Sequence, residues 1–303
     1  MRNLRLTALA AAVALAATAS AAAPAAARDL ELGSLRSRGL AGTFVAGGAG
    51  SGAIFSNPAA MCLAPVYVLE AGYLNLRPDG SHSVGGSVID SKSNASYTLG
   101  GAYTFGTYDA PDPEGSGADP ELGDVVSHDA RVGLALPLLD GRAGLGVVAH
   151  YRRVTERVLG EDAATDDLSA DFTIDAGVHA ALDGGVMLGI AAHDLVPSSE
   201  VGFARSFEAG AALLQGGLFM GAQWRGELDE HDKLASGFSA GIEYTEDTVP
   251  VRVGYRYDAL TRHNVLTGGL GFRSKEVGLD LLYEQDLTDT RFFGLGASIS
   301  GYL

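Results

Sequence analysis

The fold follows from one segment, Val249-Pro250-Val251-Arg252-Val253-Gly254-Tyr255-Arg256-Tyr257-Asp258-Ala259. Every odd-numbered position is apolar or aromatic, whereas the even-numbered positions from Arg252 to Asp258 carry arginine, glycine or aspartate. Because successive side chains of a β-strand point to opposite faces, this period of two predicts a strand with one apolar and one polar face. Its length of ~11 residues suits a tilted strand that crosses a bilayer, and its two tyrosines suit an aromatic girdle. We expect Val251, Val253 and Tyr255 toward lipid, and Arg252 and Arg256 toward the lumen.

One such strand would also fit a soluble β-sandwich, but the alternation continues from Met61 to the end of the chain. The predicted strands are 65–76, 81–91, 94–106, 127–137, 142–157, 168–181, 185–194, 205–214, 216–228, 233–245, 249–259, 263–273, 276–286 and 291–303. An even number of strands is typical of single-chain bacterial barrels. The predicted fold class is therefore all-β: a transmembrane antiparallel β-barrel of about fourteen strands.

The connections between these strands alternate in length, as expected for a barrel with both termini in the periplasm. The even-numbered connections are short, such as Asp140-Gly141, Asp183-Gly184 and the single residue Gln215. The longest odd-numbered connection, Thr107 to Val126, is strongly acidic. Its carboxylates would suit divalent cations at a lipopolysaccharide surface, but they match no calcium-loop signature. A solvated loop is the preferred interpretation.

The N-terminal sequence and the composition indicate the cellular location of the protein. Residues 1–27 have two arginines, an Ala/Leu/Val run and a small-residue cleavage pattern, which predict a cleaved secretory signal peptide. No later stretch has ~18 consecutive apolar residues, which leaves a secreted soluble protein or a β-barrel as the available classes. Because the strand pattern favours the barrel, we expect the outer membrane as the location. The formal net charge of −16 argues against nucleic acid as a partner. Cys62 is the only cysteine, and we expect a small buried side chain there.

Between the signal peptide and the first strand, residues 28–63 lack strand alternation and are rich in glycine and alanine. The run from Gly47 to Met61 ends in Asn57-Pro58-Ala59-Ala60-Met61. It resembles the N-terminal hatch of the FadL-like long-chain fatty acid transporter superfamily, which includes the PorV-like barrels. In those proteins a small-residue run leads into the same Asn-Pro-Ala tripeptide. The resemblance implies a hatch at 28–63, inside the lumen of a barrel at 64–303, with Asn57, Pro58 and Ala59 as its motif.

The same resemblance implies a function. It predicts passive uptake of hydrophobic compounds such as long-chain fatty acids, with a hydrophobic small molecule as ligand and outer-membrane lipid and lipopolysaccharide as surroundings. The alternative is a PorV-like structural or secretion-linked barrel that holds a partner protein. A general diffusion porin is disfavoured, because a hatch would obstruct the channel.

The residues expected inside the barrel show no pattern that is typical of an enzyme active site or of a cofactor site. His150, His179 and His193 are expected in the lumen, but they lie on separate strands without ligand-pair spacing, so no metal site is predicted. The lumen-facing candidates are Arg252, Arg256, Asp280 and Glu284. On the predicted strand 276–286, Leu282 is the one apolar residue on the polar face, which also carries Asp280 and Glu284. A polar substitution at Gly254 is expected to be tolerated, given space in the lumen.

Overall fold

The computed structural model describes residues 32–77, 80–109, 124–157, 165–196, 205–228, 234–258 and 262–303. The predicted signal peptide and most of the acidic connection lie outside these ranges. The strands are β1 Tyr67–Arg77, β2 His82–Asp90, β3 Thr98–Asp109, β4 Asp124–Leu138, β5 Ala143–Arg157, β6 Thr165–Ala181, β7 Val186–His193, β8 Ser206–Gln215, β9 Leu218–Leu228, β10 Leu234–Glu246, β11 Val249–Asp258, β12 His263–Arg273, β13 Val277–Asp286 and β14 Phe293–Tyr302.

Each strand pairs antiparallel with the next, and the last strand returns to the first. The seam is continuous, since β1 and β14 pair from Val68 opposite Tyr302 to Arg77 opposite Phe293. The result is a closed barrel of 14 strands, which confirms the predicted fold class. Closure leaves no unpaired sheet edge, as backbone groups in a hydrocarbon environment require.

The two faces of the wall follow the period of two. On β11, Val251 and Val253 are each 50% exposed, whereas Arg252 is 3% exposed. The same pattern exposes large apolar side chains around the barrel, including Leu134 on β4, Ile190 on β7 and Leu281 on β13. An apolar outer face on a closed antiparallel barrel is the architecture of an outer-membrane transmembrane barrel. The two faces predicted for β11 are therefore confirmed.

The even-numbered connections meet at one end of the barrel, which we call the short-turn end; the opposite end is the long-loop end. Asp140 and Gly141 have positive φ angles of 56° and 82°, and Gly184 has 81°, as hairpin turns need. The predicted one-residue turn at Gln215 is wrong. Gln215 pairs with Leu218, and the turn is Gly216-Gly217, with φ angles of 59° and 81°.

Other strand boundaries differ by a few residues. β4 and β6 each begin three residues before their predicted starts at 127 and 168, toward the long-loop end. β3 begins at Thr98 rather than at 94. The preceding residues form a turn in which the Asp90 carboxylate accepts hydrogen bonds from the backbone N–H groups of Lys92 and Ser93, at 3.2 and 2.9 Å. Aspartate favours such turns because its side chain mimics the backbone.

Residues 32–66 form no strand, and we call them the inner segment. They contain the short helices α1, Leu35–Gly39, and α2, Ala53–Ser56, followed by a 3₁₀ turn at Pro58–Cys62. In the described ranges, no helix is long and apolar enough to cross a membrane. Most side chains of the inner segment are buried, because they pack against the inward faces of the strands.

Candidate functional site

The inner segment lies against a set of inward-facing glycines that we call the glycine ring. Its members are Gly146 on β5, Gly177 on β6, Gly189 on β7, Gly210 on β8, Gly221 on β9, Gly241 on β10 and Gly254 on β11. A Cβ added at any of these positions would lie within 3.0 Å of an inner-segment atom. The absence of a side chain therefore lets the backbone of the inner segment approach the wall closely.

Gly254 illustrates this contact and corrects one expectation. A Cβ there would lie 2.5 Å from the carbonyl carbon of Leu40 and 2.6 Å from the backbone nitrogen of Ala41. The lumen therefore has no space for a side chain at this position. The expectation that a polar group would be accommodated at Gly254 is wrong, because the inner segment already occupies that volume.

Asn57 ties three parts of the molecule together and is fully buried. Its side-chain Nδ2 donates to the backbone carbonyl of Val45 at 2.6 Å, within the inner segment, and to that of Val178 on β6 at 3.0 Å. Its Oδ1 accepts a hydrogen bond of 3.1 Å from the backbone N–H of Ala59, which caps the 3₁₀ turn. One amide side chain thus fixes a turn, the inner segment and the wall.

The residues after Asn57 place the 3₁₀ turn against β3 to β6. Pro58 occupies the first position of the turn, where its missing N–H is not needed. Ala59 is fully buried, and its backbone nitrogen would lie 2.3 Å from a Cβ at Gly146. Cys62 Sγ lies 3.8 Å from His179 Nε2, and burial raises the pKa of the Cys62 thiol. Cys62 is half-buried, so the expectation of a small buried side chain is met only in part.

Apolar packing explains why Leu282, an apolar residue, lies on the otherwise polar inward face of β13. This inward side chain is 4% exposed and belongs to a cluster with Leu32, Leu35, Leu74 and Leu76. Leu32 and Leu35 belong to the inner segment, and the other leucines belong to the wall. An apolar residue on the polar face is therefore stabilised where the inner segment presents apolar side chains of its own.

Ion pairs join the inner segment to β10, β11 and β13. Arg36 of α1 makes a bidentate contact with Glu243, with Nη2 to Oε1 at 2.7 Å and Nε to Oε2 at 3.0 Å. Arg252 also donates to Glu243, and its Nη1 lies 2.5 Å from Asp280 Oδ1. Its side chain is only 1% exposed. The predicted lumen-facing residues Arg252 and Asp280 thus lie together in one buried network.

The remaining two lumen-facing candidates lie on the same inward face but not in that network. Glu284 on β13 faces Arg38 of the inner segment, with Oε1 and Nη2 3.5 Å apart. Arg256 lines a cavity of about 160 Å³ between the inner segment and β8 to β11. Other lining residues are Ser37, Phe55, Gln223, Arg225 and Glu227. The cavity lies in the half of the barrel toward the long-loop end.

A second polar cluster lies on β4 to β7. Asp129 contacts Arg131 at 2.8 Å, Arg152 at 3.2 Å and His150 at 3.2 Å. Asp175 contacts His150 at 3.4 Å and His193 at 3.3 Å. The sequence placed the histidines on separate strands, but neighbouring strands in the barrel bring His150 and His193 to the same carboxylate, that of Asp175. Only the pairing of strands could have revealed this grouping.

No protein-family model matches this chain, and no curated protein matches it either. Solved structures do match. The structure described as the P. putida toluene transporter TodX is 13% identical, covers 88% of this chain and 96% of its own, and has a TM-score of 0.58. A TodX mutant described as a monoaromatic hydrocarbon channel is 12% identical, with 88% and 98% covered and a TM-score of 0.59.

The chain has the fold of the TodX channel. The fold that the resemblance implied, an outer-membrane barrel of about fourteen strands, is therefore confirmed. The similarity extends over almost the whole length of the TodX chain.

Proposed function

We propose that this barrel carries hydrophobic compounds passively across the outer membrane, and that the inner segment is a hatch that controls the path. The observation that carries this proposal is the inner segment seated against the glycine ring inside a closed wall. A water-filled diffusion pore needs an open lumen. Here the inner segment contacts strands on all sides of the lumen. This arrangement favours a guided path for a specific class of solute.

The similar solved structures support the choice of hydrophobic compounds. TodX is described as a toluene transporter and as a monoaromatic hydrocarbon channel. We extend that substrate class to this chain and include long-chain fatty acids in it. The described cavity lies toward the long-loop end, where such a path would begin, and Phe55 contributes an aromatic ring to a lining that is mostly polar and charged.

The hatch would act through Asn57, Pro58 and Ala59. These residues hold the 3₁₀ turn against the wall near the short-turn end, where Asn57 joins β6 and Ala59 lies against β5. Loosening this contact would move the hatch without breaking any strand pairing. Gating and barrel integrity are therefore separable, which makes the proposal testable.

The test is uptake by cells that express the protein compared with cells that lack it. A fluorescent long-chain fatty acid and radiolabelled toluene serve as probes, with glucose as the hydrophilic comparison. We expect faster entry of at least one hydrophobic probe with the intact protein and no change for glucose. Asn57→Ala and Pro58→Ala should slow this entry at an equal amount of barrel in the membrane. Asn94→Ala, in the β2–β3 turn, is the matched control.

Deletion of Gly47 to Met61 examines the hatch directly. Hydrogen bonding closes around the strands without this run, so a folded barrel should remain and its conductance in planar bilayers should rise. Uptake of both probes that does not change when the whole gene is deleted would overturn the transport proposal. If affinity capture then brought down one protein in fixed stoichiometry, the PorV-like role would replace it.

A further inference from the structure

Three side chains of the kinds that bind metal ions converge where β5, β6 and the end of β7 meet. They are His150 on β5, Asp175 on β6 and Asp194, the residue that follows β7. Their ligand atoms all lie within 4.8 Å of one another. The side chains of His150 and Asp175 are each 1% exposed, and that of Asp194 is 16% exposed. The group is therefore buried, with its more open side at Asp194.

Two of the three distances among these ligand atoms match the edges of a metal coordination shell. His150 Nε2 lies 3.4 Å from Asp175 Oδ1 and 3.2 Å from Asp194 Oδ1. Tetrahedral Zn²⁺ with bonds of about 2.0–2.1 Å separates its ligand atoms by about 3.3 Å. A charge-assisted N–H···O bond is usually about 2.7–2.9 Å long, and a single N–H cannot point straight at two oxygens. The spacing thus suits an ion between the three atoms better than one shared proton.

The surroundings of His150 are those of a metal ligand. Its other ring nitrogen, Nδ1, lies 3.2 Å from Asp129 Oδ2. Donation from Nδ1 to a carboxylate fixes the tautomer in which Nε2 offers its lone pair, and metal-bound histidines commonly have such a partner. Asp129 is itself held by Arg131 at 2.8 Å and by Arg152 at 3.2 Å.

The backbone also places the two aspartates. Asp194 has a φ of 56°, the left-handed conformation that non-glycine residues seldom adopt. Its backbone N–H donates to Asp175 Oδ1 at 2.9 Å. The carboxylates of Asp129, Asp175 and Asp194 face the guanidinium groups of Arg131 and Arg152, and Asp175 also contacts His193. With both imidazoles neutral, three carboxylates against two guanidinium groups leave one negative charge, which a bound cation would balance.

We propose that His150, Asp175 and Asp194 bind one divalent transition-metal ion, with Zn²⁺ as the probe of choice. Imidazole and carboxylate donors suit Zn²⁺ and its first-row neighbours. The ion links three consecutive parts of the wall and fastens the chain that leaves β7 to β5 and β6. This role is independent of which compound the barrel transports.

The test uses the full-length barrel, purified in detergent, freed of its affinity tag and stripped with EDTA. Every variant carries Cys62→Ser, so that the thiol near His179 cannot bind the ion. Zn²⁺ affinity is measured by competition with a chromophoric chelator. We expect one site per barrel, and at least about tenfold weaker binding in His150→Gln and in Asp194→Asn. His179→Gln, an inward histidine outside the cluster, should bind Zn²⁺ as the parent does.

Two further readouts keep the result decisive. X-ray absorption of the loaded parent should show nitrogen and oxygen ligands at about 2.0–2.1 Å, and Zn²⁺ should raise the unfolding temperature of the parent but not of Asp194→Asn. Asp194 lies after the end of β7 and is partly exposed, so this variant should fold even if His150→Gln does not. A parent that binds no Zn²⁺ at millimolar concentration, or an Asp194→Asn variant with unchanged affinity, would overturn the proposal.

Discussion

The side-chain nitrogen of Asn57 donates a hydrogen bond of 3.0 Å to the backbone carbonyl oxygen of Val178, 121 residues further along the chain. The same nitrogen donates to Val45, so a single amide joins the barrel wall to two points of the inner segment. Because the side chain is fully buried, removing the amide would leave these buried backbone carbonyls without the donor that they have now.

Asn57→Ala should therefore destabilise the barrel by about 1–3 kcal/mol, the cost of leaving buried polar groups without partners. Urea unfolding in lipid vesicles measures this, with the fluorescence of Trp224, the only tryptophan, as the signal. Asn94→Ala is the control, because it removes only a hydrogen bond at the exposed β2–β3 turn. Equal unfolding midpoints for the two variants would contradict the role assigned to Asn57.

Gly254→Ala should displace the inner segment, because its methyl group would overlap Leu40 and Ala41. Overpacking of this kind costs about 1–3 kcal/mol. We expect a lower unfolding midpoint together with a higher conductance in planar bilayers. Gly268→Ala on β12 is the matched control, since the nearest heavy atom to its added Cβ would be 3.9 Å away. If the unfolding midpoint of Gly254→Ala equals that of Gly268→Ala, the inner segment is not held against the glycine ring.

Val253→Arg should cost about 2–4 kcal/mol, because it places a charge on the lipid face in the middle of β11. Val249→Arg, at the start of the same strand and on the same face, should cost about 0–1 kcal/mol, since the arginine can reach the interface. The two side chains are 50% and 48% exposed, so exposure does not distinguish them. Unfolding free energies in lipid vesicles provide the comparison, and similar costs would show that depth in the bilayer has been misassigned.

Arg252→Met should destabilise the barrel by about 3–5 kcal/mol, because it leaves the buried carboxylates of Glu243 and Asp280 without this partner. Arg256→Met, on the same face of β11, should cost far less, since Arg256 lines the cavity. The double variant Arg252→Met with Glu243→Gln should recover part of the loss, because one carboxylate charge is removed. A single variant that unfolds like the parent would show that the network contributes no net stability.

Much of the fold was predictable because a barrel strand is a local pattern. Val251 and Val253 differ from Arg252 in polarity at single-residue spacing, and burial in lipid or lumen follows from that alternation. The turn at Asp140-Gly141 was equally local, because it depends on residues that tolerate positive φ. The Gly216-Gly217 turn was missed by one residue, although the glycine pair is itself a hairpin signal.

The sequence by itself determined the number of strands, their faces and the position of the Asn57-Pro58-Ala59 turn, because each depends on residues that are neighbours in the chain. Two features depend on the tertiary structure alone: Gly254 has no room for a side chain, and Leu282 points inward. Both follow from the position of the inner segment inside the barrel. The tertiary structure also brought His150 to Asp194, which are separated by more than a full strand in sequence. The pairing of β5 with β6 and of β6 with β7 brings these residues together, and no periodicity in the sequence encodes the distance between them.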